Sequence, residues 1–320
     1  MSFQEIKGQD RAIAIIKESL GRNRLEGGYL FTGPQAVGKR LTAQVLAKAV
    51  NCFNKTIDSC DSCPACLKIN KNEHPDVHML GGPDNEAIKI EHIRQLKSQI
   101  SLKAYEGKKK VFIINNAENL TPEAANAILK ILEEPPANSL IILISAKPNL
   151  LFKTIISRCK TIKFHNLKRQ LLESILRTDY SLDHNLAHFL AYYSEGSIGK
   201  ALALKDEDAL RTKNRIIDEF LTQNRAMSDN ALFQNKEYLR RSLNILASWL
   251  RDIYLLKVGM PHSEIINLDR KEDLLRLMSR FSFIDLNEAF NFIADAITYL
   301  ENNINVRLLV SNLRMELCKD

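Results

Sequence analysis

The sequence predicts an α/β domain with a parallel sheet, followed by a chain that is helical to its end, and three observations carry that expectation. Short apolar runs at Tyr29-Leu30-Phe31, Val111-Phe112-Ile113-Ile114 and Leu140-Ile141-Ile142-Leu143-Ile144 alternate with helical stretches. That is the pattern of strands buried on both faces and joined by crossover helices. Gly33-Pro34-Gln35-Ala36-Val37-Gly38-Lys39 follows the first run directly and precedes a helical stretch from about Leu41, the setting of a phosphate-binding loop. After about His165 no comparable strand pattern occurs.

A chain of 320 residues exceeds one typical domain. The patterns divide it into residues 1–164 around the sheet, a small helical domain at 165–207 and an all-helical domain at 208–320. Hydrophobic residues at 45% and charged residues at 26% exclude a disordered chain. The start, Met1-Ser2-Phe3-Gln4-Glu5-Ile6-Lys7, has no charged-then-apolar signal, and no stretch reaches the roughly 18 uninterrupted apolar residues of a membrane helix. The expectation is a cytoplasmic protein with no membrane partner. A net charge of +7 favours a polyanionic partner, although spread over 45 basic residues it also suits solubility alone.

Pro122 to Glu134 reads as a helix: Thr121 stands as N-cap, Pro122 at the first helical position, and Pro135-Pro136 stop it. Residues from about 166 to 205 carry helical patterns and contain Gly196-Ser197-Ile198-Gly199. Beyond residue 209, two stripes repeat at helical spacing: Leu239, Leu243, Leu246, Leu250, Ile253, and Leu286, Phe290, Ile293, Ile297, Leu300. Each buries one face of a helix in a bundle core, which Trp249 also fits.

In the loop, Gly33 and Gly38 let backbone N–H groups curl around phosphate oxygens, and Lys39 would reach the outer phosphates. The position after the lysine should offer Mg²⁺ a hydroxyl, yet it is Arg40, and a guanidinium cannot ligate a cation. The later strand should end in acidic residues that hold metal and polarise water. Here it ends Ile113-Ile114-Asn115-Asn116-Ala117-Glu118, with amides in both positions. Without those groups phosphoryl transfer loses several kcal/mol of charge stabilisation. Nucleotide binding without turnover stays open, and Glu118 would restore a carboxylate only by turning back toward the loop.

Cys60-Asp61-Ser62-Cys63-Pro64-Ala65-Cys66 sets three thiols at short intervals, with Cys52 upstream at the end of the helix after the loop. A reducing compartment argues against disulfides, so the four read as a closed, tetrahedral, structural zinc site. Four reduced, unliganded thiols is the other reading. His74 and His78 lie nearby, but four cysteines already complete the site. Lys108-Lys109-Lys110 reads as a solvated run at a strand entrance rather than a DNA patch.

After the strand at 140–144 comes Pro148-Asn149-Leu150-Leu151-Phe152-Lys153-Thr154-Ile155-Ile156-Ser157-Arg158-Cys159. With this segment the chain resembles the bacterial clamp-loader family of AAA+ proteins. The resemblance rests on the order of phosphate loop, four-cysteine knuckle, Ala124-Ala125-Asn126-Ala127-Ile128-Leu129-Lys130-Ile131-Leu132-Glu133-Glu134-Pro135-Pro136, then Ser157-Arg158-Cys159. It covers the first half of the chain. It implies an AAA+ P-loop domain with an inserted zinc knuckle at 52–66, a helical lid and a C-terminal helical collar. It also implies that Arg158, with Ser157 beside it, is an arginine finger reaching a neighbour's ATP, with Cys159 a small residue packed behind it. Gly196 to Leu202 resembles the family's sensor-two segment, where the ATP-sensing arginine is here Gly199. Ile304-Asn305-Val306-Arg307-Leu308-Leu309 resembles part of the collar.

The implied partners are the ATPase subunits and a delta subunit in a five-membered ring, the sliding clamp and primed DNA, with Arg94, Lys97 and Lys103 as candidate duplex contacts. The implied function is that of a non-hydrolysing subunit of the replicative polymerase assembly, with structural zinc, and with Gly33, Gly38 and Lys39 as a vestigial phosphate loop. Two other readings stay open: an active ATPase subunit of the loader, and a zinc-stabilised DNA-binding module outside any ring.

Overall fold

The computed structural model describes all residues except 23–24, 26, 55–56, 82–85, 222–235 and 302–320. The segment at 304–309 and Cys318 therefore lie outside the described residues. Contacts divide the chain into two units, residues 1–168 with 196–199, and residues 169–195 with 200–320.

The first unit is built on five parallel strands: β1 (Gly27–Thr32), β2 (Val77–Leu80), β3 (Lys110–Ile114), β4 (Ser139–Ser145) and β5 (Cys159–Lys163), in the order β2-β3-β4-β1-β5. β1 lies between β4 and β5, with Tyr29 opposite Ile142 on one side and Lys160 on the other. The helices are α1 (Asp10–Gly21), α2 (Lys39–Asn51), α3 (Pro64–Asn70), α4 (Ile90–Ile100), α5 (Pro122–Glu133) and α6 (Lys153–Ile156).

Because side chains alternate along a strand, each apolar run feeds two cores. Tyr29, Phe31, Val111, Ile113 and Ile142 join Ile16, Val45 and Leu46 of α1 and α2 on one face. Leu30, Phe112, Ile114, Ile141 and Leu143 join Ile93, Leu96, Ile128 and Leu132 of α4 and α5 on the other. The three expected strands are these inner ones. The two that the apolar runs do not reveal are the edges: β2 is half-buried throughout, and β5, Cys-Lys-Thr-Ile-Lys, buries only Ile162 fully. Polar residues on a sheet edge discourage pairing with other chains and hide the strand from a hydropathy reading. Thr121 caps α5 as expected, its Oγ1 accepting the Ala124 N–H at 3.3 Å.

The lysine run at 108–110 is not freely solvated. Lys109 Nζ donates to Leu25 O at 2.8 Å, Lys110 Nζ to Gln99 O at 2.8 Å, and Lys108 Nζ to Cys52 O. These ammonium groups satisfy main-chain carbonyls around the entrance to β3.

The second unit is helical: α7 (Arg169–Thr178), α8 (His184–Tyr193), most of α9 (Ile198–Asp206), α10 (Ala209–Leu221), α11 (Lys236–Lys257), α12 (Lys271–Met278) and α13 (Phe283–Glu301). The stripe on α11 is buried at Leu239, Leu243, Leu250 and Ile253, with Ile245 and Trp249 widening the face; Leu286, Ile293 and Leu300 of α13 share its core. The helices of 169–195 group with those after 208 through specific bonds. His188 Nε2 lies 2.8 Å from Ile265 O, and Arg169 bonds both oxygens of Glu264 at 3.1 Å. Among the described residues, no helix is long and apolar enough to cross a membrane.

One buried carboxylate organises the turn after α11. Asp252, fully inaccessible, accepts the Ile266 N–H at 2.9 Å, the Asn267 N–H at 2.7 Å and the Asn267 side-chain amide at 2.8 Å. Removing it strands these donors in an apolar core. Asp252→Ala is expected to lower unfolding free energy by roughly 3 kcal/mol in urea titration. A loss below about 1 kcal/mol would show that the turn is held by other contacts.

Candidate functional site

The phosphate loop leaves the carboxyl end of β1 and enters α2 at Lys39. Gly33 sits at φ +139°, and a Cβ there would lie 2.2 Å from the carbonyl oxygen of Phe164, so the chain passes only if this residue is glycine. Gly38, at φ +95°, has open space where a Cβ would be; its demand is purely conformational. Gln9 holds the loop from below: its side-chain amide donates to Val37 O at 3.3 Å and to His165 O at 2.8 Å. No sequence signal marked this glutamine, a lone polar residue next to an amphipathic helix.

Lys39 does not reach outward. It is buried, and its Nζ donates to Gly33 O at 2.5 Å and to Pro34 O. Burial pulls its pKa down to about 8, against the nearby negative charge of Glu118. Glu118 thus turns back toward the loop, where its Oε1 accepts the Ala146 N–H at 3.1 Å and its buried Oε2 has no hydrogen-bond partner. Arg40 points to β2, its Nη2 lying 3.7 Å from Met79 Sδ. The nearest hydroxyl in the sequence after it, Thr42 Oγ1, is buried and donates to Gly38 O at 2.9 Å.

The segment 196–199 closes on the tip of the loop. Ser197 Oγ donates to Gln35 O at 3.1 Å, and the Gly199 N–H to Ala36 O at 3.0 Å. A Cβ on Gly199 would lie 2.8 Å from Ala36 Cβ and 3.0 Å from Ala36 O. An arginine at 199 therefore requires the loop tip to move away.

The four cysteines Cys52, Cys60, Cys63 and Cys66 converge, all their sulfurs lying within 4.8 Å of one another. Sulfurs of a tetrahedral zinc site are about 3.8 Å apart, given Zn–S bonds of about 2.3 Å, so the cluster fits such an ion. Cys52 and Cys66 are buried; Cys60 accepts the Cys63 N–H at 3.3 Å. Hydrogen bonds from Ser62, first its backbone, bring the Cys60 thiol down to about 6, favouring the thiolate. Behind the turn the buried Lys48 reaches Asp61 Oδ1 at 2.5 Å, and Asn70 donates to the same oxygen at 2.9 Å. His74 is buried outside the cluster, its Nδ1 accepting the Asp76 N–H at 3.1 Å, and His78 stacks on Phe112.

Arg158 lies between α6 and β5. Its Nη1 donates to Thr154 O at 3.0 Å and its Nη2 lies 2.6 Å from Glu133 Oε1. Ser157 Oγ donates to Thr154 O at 3.1 Å. Cys159 is half-buried and burial pushes its thiol up to about 12, which keeps it neutral and unreactive. Arg94 and Lys97 lie on the exposed side of α4, and Lys103 is exposed just beyond it.

A family model described as DNA polymerase III, delta subunit, matches residues 8–168, and a second, DNA polymerase III, delta subunit, C terminal, matches 208–317. The chain belongs to this DNA polymerase III delta-subunit family. It is 29% identical over 315 residues to the DNA polymerase III subunit delta' of Bacillus subtilis, covering 95% of this chain and 94% of that protein. It is 32% identical over 210 residues to the subunit gamma/tau of Mycoplasma pneumoniae, covering 64% of this chain but only 30% of that protein. Among solved structures, a gamma subunit-related protein of Thermotoga maritima aligns with 96% of this chain and 98% of that one at 18% identity, with a TM-score of 0.47. The resemblance to clamp-loader AAA+ proteins drawn from the sequence is borne out, as is the fold class: parallel α/β sheet with a phosphate loop, then helices.

The two loop glycines separate steric from conformational demand. Gly33→Ala is expected to cost about 3 kcal/mol of unfolding free energy, and Gly38→Ala about 1 kcal/mol. Equal losses in denaturant titration would mean that the Phe164 carbonyl yields freely.

Proposed function

We propose that this member of the DNA polymerase III delta-subunit family is a delta-prime-type clamp-loader subunit that does not hydrolyse ATP and supplies Arg158 to a neighbouring subunit's ATP. One observation carries the reading. Cys159 is in register with Gly28 at the start of β1, whereas the phosphate loop begins at Gly33 beyond its end. Five residues of strand separate these levels by about 16 Å, further than an arginine side chain extends. This separation supports the reading that Arg158 serves a triphosphate other than one held by its own chain, where a fixed, permanently charged fork stabilises the transferred phosphoryl group.

The chain's own loop supports the same reading. The Lys39 ammonium is engaged by loop carbonyls, Arg40 offers no metal ligand, Asn115 and Asn116 replace carboxylates, and Gly199 leaves no room for a sensing arginine. The partners in this proposal are gamma/tau-type ATPase subunits and a delta subunit in a ring, loading the sliding clamp on primed DNA, with Arg94, Lys97 and Lys103 facing the duplex backbone. The lid and collar roles of segments 165–207 and 208–320 belong to the same proposal. The competing reading, an active gamma/tau-like ATPase subunit, draws on Glu118, whose carboxylate does turn toward the loop.

In a loader reconstituted with its ATPase subunits, Arg158→Ala is expected to leave assembly intact and cut the partner's ATPase about 10³-fold. Unchanged turnover sinks the finger, and magnesium-dependent hydrolysis by the isolated chain favours the competing reading.

The cysteine cluster is proposed to hold one structural zinc, with every coordination position filled by thiolate and none left for catalysis. Metal analysis should return about one zinc per chain, released as pH falls because the thiolates must reprotonate. Chelation should lower the thermal midpoint; metal-free protein with the same midpoint would refute the assignment.

A further inference from the structure

The strongest unexplained feature near Arg158 is the acid that meets it. Glu133 is the last residue of α5, and its carboxylate lies 2.6 Å from Arg158 Nη2 while Thr154 O takes Nη1 at 3.0 Å. Arg158 is about one-third exposed and Glu133 about half exposed (36% and 48%), so the pair adds little to stability. Its consequence lies elsewhere. A free arginine samples many rotamers, whereas one tied at both terminal nitrogens presents its remaining N–H groups in a fixed direction.

The meeting is built into the fold by Gly28. A Cβ at that position would lie 2.5 Å from Leu132 Cδ2, 3.0 Å from Cys159 Sγ and 3.5 Å from Arg158 O. The residue before Glu133 and the residue after Arg158 therefore close over the same bare stretch of β1. The neutral Cys159 thiol fills that contact without introducing a competing charge.

We infer that Glu133 is a positioning residue, which aims Arg158 at the neighbouring subunit's triphosphate through the two-point hold formed with the Thr154 carbonyl. The inference rests on the finger role proposed above. It concerns orientation, so the carboxamide of a glutamine, which keeps an acceptor oxygen in place, should largely substitute.

The test uses the complete reconstituted loader carrying Glu133→Ala, Glu133→Gln, Arg158→Ala or the Glu133→Ala/Arg158→Ala pair, with gel filtration to follow assembly. Glu133→Ala is expected to lower kcat of the partner ATPase about tenfold with KM for ATP within about twofold, because a loosened finger costs orientation in the transition state. Glu133→Gln should keep at least about half the rate, and the double variant should match Arg158→Ala alone. Full activity of Glu133→Ala beside an impaired Arg158→Ala overturns the inference and spares the finger. A double variant slower than Arg158→Ala, or Glu133 variants that fail to assemble, also overturns it. Full activity of Arg158→Ala overturns both.

Discussion

The first unit depends on how closely other parts of the chain approach strand β1. At its start, Gly28 admits Leu132 and Cys159; just past its end, Gly33 admits the backbone of Phe164. Between them Tyr29, Leu30 and Phe31 are fully buried in alternating cores, so the strand cannot slide to relieve either contact without turning each side chain to the wrong face. The arginine segment and the phosphate loop are thereby fixed at opposite ends of one rigid element. That separation keeps them about 16 Å apart along the strand to which both are attached.

At the loop end, the chain's own groups satisfy the atoms that would otherwise meet a nucleotide. Lys39 donates hydrogen bonds to Gly33 O and Pro34 O, while Ala36 O and Gln35 O accept them from Gly199 and Ser197. A phosphate would have to draw the lysine away from carbonyls that are already good acceptors, and Arg40, Asn115 and Asn116 stand where a hydroxyl and carboxylates would offer oxygens to magnesium. Burial lowers the Lys39 pKa to about 8 while the charge of Glu118 opposes the shift, so the group remains an ammonium at neutral pH.

Features carried by adjacent residues were legible in the sequence; those made by convergence were not. The inner strands were visible because burial on both faces gives an unbroken apolar run, while β2 and β5 were hidden by the polar residues that protect sheet edges. Cys60, Cys63 and Cys66 announce themselves by spacing, and Cys52 joins them because α2 ends beside the turn. By contrast, the lysines at 108–110 read as a solvated run, since nothing local shows that each ends on a carbonyl of a distant segment. Gln9 and the pairing of Glu133 with Arg158 were invisible for the same reason, and the return of Glu118 could be named as a possibility but not decided, because each depends on how distant segments meet in the fold. The small helical domain expected at 165–207 groups largely with the later helices, because His188 and Arg169 bond residues 264–265, far along the chain.

Glu118 is the acid retained near the loop, and its contacts define what that carboxylate does. A carboxylate that binds magnesium needs oxygens free to face the ion, but Glu118 spends Oε1 on the Ala146 N–H, tying the ends of β3 and β4 together. Its other oxygen is buried without a hydrogen-bond partner, close enough to Lys39 to favour that lysine's charged form. The two charges therefore answer each other across the strand ends. In this arrangement the retained lysine and acid bond the loop and the strand ends, while the Arg158 guanidinium stands at the other end of β1, held by Glu133 and the Thr154 carbonyl.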